Sequence, residues 1–297
     1  MLLLPFSASI LEVVFRKDAK PVYINLDYTR EPDYFGKSFM TVLKKALNSL
    51  NMNIEEIFSC CYVSLSMPRG KEWINFTTPD FLSEKEVLAV TVFLSDTHLN
   101  TEKTFKKEVV VLGDFLLTEN CTMRSLYVRG DCIIKSCLRV ERWLHIEGNL
   151  EVNSFTTLGC SSYVKGDAVI KGSVAFKRFY AKRISTFTCE QKESGSEKNS
   201  VNIKGPLKTK WPLIIDGTKR SICIDGDLFS EGDVEIQGNV HVKGCVFSQG
   251  NVVLKHGVRI GDKDRIKSVV AKEKIIIKGA FEIYGYLHAE NGGIIEL

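Results

Sequence analysis

Proline is scarce in this chain, seven among 297 residues, and none lies between Met123 and Gly205. A β-sandwich or meander of that length would break about every 8–12 residues at Asn-Gly or Pro turns. Such turns are missing, so hairpin architectures are disfavoured. The nine cysteines are an odd number and include no C-x-x-C pair. Cys60 and Cys61 are adjacent and badly placed to bridge each other. Neither a disulfide framework nor a zinc site is indicated, and a reducing cytoplasm is the expected compartment. No apolar stretch is long enough to span a bilayer. The run from Met1 to Phe6 is apolar but lacks a basic flank, and Glu12 follows early, so no cleaved signal peptide is expected. That run can still touch a membrane surface or a partner. The 40 basic and 36 acidic residues are interspersed. No basic stripe forms, and nucleic acid is not an expected partner. No phosphate loop or metal-ligand spacing is present either, so no cofactor is expected.

What the chain does have is alternation. From Leu126 onward the even positions read Leu126, Val128, Gly130, Cys132, Ile134, Ser136, Leu138, Val140. The same parity returns as Ile222, Ile224, Gly226, Leu228, Ser230, Gly232, Val234, Ile236. Odd positions between them are mostly polar. Period two places one set of side chains on one face of an extended chain. Every third even position is small, which makes a six-residue unit whose small residue lets the backbone bend. Three units make a triangular coil of about 18 residues, and Gly130, Gly148 and Gly166 repeat at that interval. Two periods in agreement identify a parallel β-helix that buries a continuous aliphatic core. Cys132 and Cys160 take inward slots, where a thiol serves as a small hydrophobe. The parity moves to odd numbers at Val109–Leu117 and again at Ile275–Leu287, and each shift is read as a coil of 17 residues lacking one corner residue.

Residues 1–107 lack the six-residue unit. Strand patterns at Ser9–Arg16 and Pro21–Tyr28 suggest a hairpin. Apolar residues Phe39, Val42, Leu43, Ala46, Leu47 and Leu50 give a helix over residues 36–50. A short helix near residues 53–60 and strands at 62–66, 73–76 and 87–94 complete a small α+β domain. The β-helix then fills residues 108–297. It is interrupted by a polar segment at about 188–200 that reads as a mobile loop.

The run Ile224-Asp225-Gly226-Asp227-Leu228, with Glu231-Gly232-Asp233-Val234-Glu235-Ile236-Gln237-Gly238 after it, resembles the repeats of bactofilins, the bacterial polymer-forming cytoskeletal proteins. Lys278-Gly279-Ala280-Phe281-Glu282-Ile283-Tyr284-Gly285 resembles a coil near the end of that domain. The resemblance implies right-handed coils, which agrees with the usual sense of parallel crossovers. It also implies a non-enzymatic, self-associating scaffold. Here a folded segment precedes the coils and would cap one end.

The alternative is a β-helix enzyme, acyltransferase-like or carbohydrate-active. The five histidines show no shared spacing. Asp114, Asp131, Asn149, Asp167, Asp227 and Asp262 each follow a coil glycine, and the simplest role for such residues is to bond corner N–H groups. Leu116, Ile133, Val169, Phe229 and Phe247 are outward apolar positions three residues after a coil glycine. They are expected to form a contact stripe, interrupted by Glu151 and Glu282. The terminal residues Ile294, Ile295 and Leu297 are expected to make a tail-to-tail contact between copies. The expected partners are therefore a second copy of this chain, and a further protein through the N-terminal domain.

Overall fold

A computed structural model describes residues 31–57, 59–68, 70–186, 200–263 and 265–297. The chain divides into two units, Met1–Glu31 and Pro32–Leu297, and the second is described below. The hairpin expected at 9–28, the run from Met1 to Phe6 and nearly all of the segment read as a mobile loop lie outside the described residues. Among the described residues no helix is long and apolar enough to cross a membrane.

The architecture is mainly β, with 61% strand and 8% helix, and winds as a β-solenoid of about 12 turns with about 18 residues per coil. Among the described residues 25 strands, β1 to β25 in chain order, form one sheet. On one face Val109, Leu126 and Leu144 stack in parallel register, 17 and 18 positions apart. On the next, Phe115, Cys132 and Leu150 do the same. All of these inward residues are at most 1% exposed. Burying a side chain of this kind stabilises the fold by about 1.5–3 kcal/mol.

The coils fall into two stacks that run in opposite directions. The first ends at β14 (Val174–Thr186) and the second ends at β25 (Phe281–Glu296). These two last coils meet in antiparallel register on every face: Val174 pairs with Ile295, Phe179 with Leu287, and Ile184 with Ile283. The core runs unbroken through this junction. Gly293 is required there, because a Cβ would lie 2.4 Å from the Phe176 ring. The second stack therefore begins far from the junction, at β15 (Val201–Lys204) and β16 (Leu207–Thr209), and returns to it.

Three expectations are corrected. Parallel coils begin well before residue 108: Ile74 in β2 (Gly70–Thr77) pairs with Val90 in β4 (Val90–Phe93), and Thr91 pairs with Val109. The six-residue unit is invisible there because β4 is buried on both sides, and doubly buried strands read as apolar runs. The second parity shift is an insertion, since Val258 pairs with Phe281, 23 positions on. Losing one residue or gaining five flips parity equally. Cys160 is exposed rather than inward, because the turn at Gly159 breaks the alternation.

Helix α1 (Tyr34–Asn48) lies across the outward side of the first stack, with Met40, Leu43, Ala46 and Leu47 buried. These positions recur every three or four residues, which makes one apolar stripe. They pack on Leu65, Phe76, Val92 and Val110. The expected Leu50 is left 48% exposed, and the second helix is a single 3-10 turn, Ile54–Glu56. Strand β1 (Cys61–Met67) pairs antiparallel with β2 and forms the edge of this face.

Candidate interaction surfaces

The two outer ends of the solenoid are built differently. At the first-stack end, Lys103 occupies an inward slot in line with Cys121 and Leu138. It is 5% exposed, and its ammonium donates to the carbonyls of Leu82 at 2.6 Å and Glu84 at 2.7 Å. A buried charge survives only with such partners. Lys103 thus ties the segment after the 3-10 turn Pro79–Phe81 over the first coil. Cys121 beneath it is a thiol pushed up to about 12 by burial, so it stays protonated.

The second-stack end carries no such cover among the described residues. Strands β15 and β16 and the start of β17 (Leu213–Asp225) each pair on one side only, with the next coil inward. Ile203, Leu207 and Leu213 rest on the core but are only half-buried. Trp211 and Ile214 stand beside them, 77% and 70% exposed. This coil is longer than the usual 18 positions, since Val201 pairs with Ile222, 21 positions on. Pro206 and Pro212 fall at its bends and remove donors there.

The residues expected to form one stripe occupy two columns. Leu116, Ile133, Glu151 and Val169 stack along the first stack. Phe229 and Phe247 stack in the second, with Lys208 before them and Val270 after. The Lys208 ammonium sits 5.2 Å from the Phe229 ring centre. All six apolar members are half-buried. The terminal residues have another role. Ile295 is wholly buried between Val174 and Ile277, and half-buried Ile294 pairs with Ala175. The tail edge is therefore spent inside the chain. Leu297 is 52% exposed.

The corner acids form a hydrogen-bonded ladder. Asp96 Oδ1 accepts from the Asp114 N–H at 2.9 Å, Asp114 from Asp131 at 2.8 Å, Asp131 from Asn149 at 2.7 Å, and Asn149 from Asp167 at 3.0 Å. Asp227 serves Cys245 in the same way. Asp262 does not join it: the insertion places it near Arg259 and His241. Among the described residues no group of three or more His, Cys, Asp or Glu could hold a metal.

His145 is the most enclosed histidine, at 1% exposure. It lies within a ring ladder, with Tyr127 5.0 Å away on one side and Tyr163 4.8 Å away on the other, and Tyr180 continues the ladder 5.2 Å beyond Tyr163. These residues recur at coil spacing, so the signal was present in the sequence. Gly36 of α1 presses on the ring, where a Cβ would fall 2.3 Å from His145 Cγ. Burial lowers the His145 pKa despite its bond to Glu147. Burial would raise Glu147, but hydrogen bonds from His145 and Lys165 outweigh it and hold the carboxyl below its ordinary value. Glu147 is thus ionised at neutral pH and can only accept. His145 Nε2 donates to it at 2.8 Å, which leaves Nδ1 bare and without a partner. His241 is more open and reaches the Gly261 carbonyl at 3.1 Å. No known family model, curated protein or solved structure matches the chain.

Proposed function

We propose that this chain is a non-enzymatic structural scaffold, similar to bactofilins in its coils, that self-associates through the outer coil of its second stack. The observation that carries this reading is the contrast between its ends. One is closed by Lys103, and the other presents three singly paired strands with half-buried aliphatics among the described residues. Unpaired strand edges beside apolar surface favour pairing with another chain. The internal junction of β14 with β25 is an antiparallel contact between two coil ends with a continuous core. The same contact between two copies is isologous and closes as a two-fold dimer. A filament would need a second open end. Right-handed coiling belongs to this reading, supported by the general preference of parallel crossovers. Among the described residues eight cysteines carry free thiols, which suits a reducing cytoplasm.

Sedimentation velocity over a range of concentrations tests it. The unmodified chain is expected to dimerise, and Ile203→Lys, which places a charge on the open edge, to yield monomer. A double change of Phe229→Ser and Phe247→Ser is expected to leave the dimer intact. An unmodified chain that sediments as monomer at every concentration overturns the reading. Dimer loss in the phenylalanine variant alone moves the contact to the coil side.

A further inference from the structure

Helix α1 does not fill all the space against the coils. Between it and one corner of the first stack lies a cavity of about 400 Å³, a volume typical of small-molecule sites. Its apolar wall is Phe39 and Val42 from the helix with Val90 and Trp143 from the coils. Phe39 and Trp143 meet with ring centres 5.7 Å apart, and Trp143 is 6% exposed. These side chains offer a planar, apolar slot.

The opposite wall is charged, and the coil corners produce it. The register slips in β6 (Lys103–Val111) between Phe105 and Glu108, and in β10 (Leu138–Ile146) between Val140 and Trp143. These slips bring Lys107 and Arg142 to the cavity, with Arg124 on the coil between. Lys107 is held by Glu72 at 2.9 Å and Arg124 by Glu108 at 3.6 Å. Arg142 is exposed and has no ion pair or hydrogen bond from its side chain among the described residues. Among the described residues three cations face two carboxylates, so one positive charge is left over, and it is a guanidinium. Ser125 pairs in register with both Glu108 and Trp143, is wholly buried, and has a hydroxyl without a partner. An unmet polar group therefore lies next to the same wall.

We infer that this cavity binds a small molecule with a planar apolar body and a single negative charge, a carboxylate or sulfonate, seated against Trp143 with its anion on Arg142. A planar anion matches both the aromatic wall and the fork of the guanidinium. This site is independent of the open coil end.

The test uses the full chain with Trp73→Phe and Trp211→Phe, both exposed positions, so that Trp143 is the single emitter. The probe is anilinonaphthalene sulfonate, which has aromatic rings and one anion, compared with its uncharged parent phenylnaphthylamine. The sulfonate is expected to quench Trp143 saturably, and Arg142→Gln to weaken it by about tenfold or more, while the affinity for the uncharged parent stays the same. A tenfold loss corresponds to about 1.4 kcal/mol. Absence of Trp143 quenching overturns the proposal. So does an Arg142→Gln titration that superimposes on the unsubstituted one.

Discussion

Ile295 is the sharpest place to test the reversal of direction inside the solenoid. Its side chain is wholly buried in a column between Val174 of the first stack and Ile277 of the second. Ile295→Ala removes three carbon groups at about 0.8 kcal/mol each, so the transfer loss is about 2.4 kcal/mol. Strands on both sides hold the backbone, and the site collapses poorly. The cavity term then brings the total to about 3–5 kcal/mol. Ile294 is one residue away but half-buried and outward, and Ile294→Ala should cost less than about 1 kcal/mol. Urea unfolding followed by tryptophan emission reads both, because Trp143 lies in the first stack and Trp211 between β16 and β17 of the second. One shared transition is expected, moved to lower urea by Ile295→Ala and hardly moved by Ile294→Ala. Equal effects at the two positions would refute the inward placement of Ile295. Separate transitions for the two halves of the unmodified chain would refute the continuous core.

Two more outcomes follow from the buried imidazole and from the corner ladder. Burial lowers the folded pKa of His145 below its ordinary 6.5, and His288 shifts the same way. The unfolded chain therefore binds more protons between the two values. Stability is full above about pH 6.5 and falls with pH below it, by up to about 1.4 kcal/mol per unit for each histidine, until the folded pKa is reached. Glu147, held below its ordinary 4.5, adds a further loss at lower pH. Urea midpoints measured from pH 7.5 down to pH 5 should fall less steeply in His145→Gln, and an unchanged slope rejects the idea. Asp131 Oδ1 accepts from both the backbone and the side chain of Asn149, at 2.7 and 3.1 Å. Asp131→Ala should cost about 1 kcal/mol, whereas Asp225→Ala, which loses only an exposed 3.8 Å ion pair, should be near neutral. Thermal melts that cannot distinguish the two would show that the ladder does not stabilise the coils.

The corner acids were legible because Asp and Asn next to a tight bend can do little else as cheaply as accept an N–H. The structure adds that the N–H belongs to the next coil. The outward stripe was legible only as outward. Leu116, Ile133 and Val169 share one column while Phe229 and Phe247 share another, and spacing alone does not say which coils lie on the same stack. The open end at Ile203, Leu207 and Leu213 was missed, because those residues look like ordinary inward positions. Their exposure arises because no coil lies beyond them among the described residues.

The sequence by itself determined that the chain winds around an aliphatic axis, and which side chains point inward. Inward and outward positions alternate on any half-buried strand, and the small residue at each bend repeats with the coil. Alternation carries no information about strand direction, however. An inward valine is inward whether its neighbour runs parallel or antiparallel. Only the tertiary structure decided that the two stacks oppose each other at β14 and β25, and that α1 hides the first coils. It also decided that the tail closes an internal seam, while the start of the second stack pairs on one side only among the described residues. The seam rests on contacts between residues more than a hundred positions apart, such as Val174 with Ile295, and no local pattern records them.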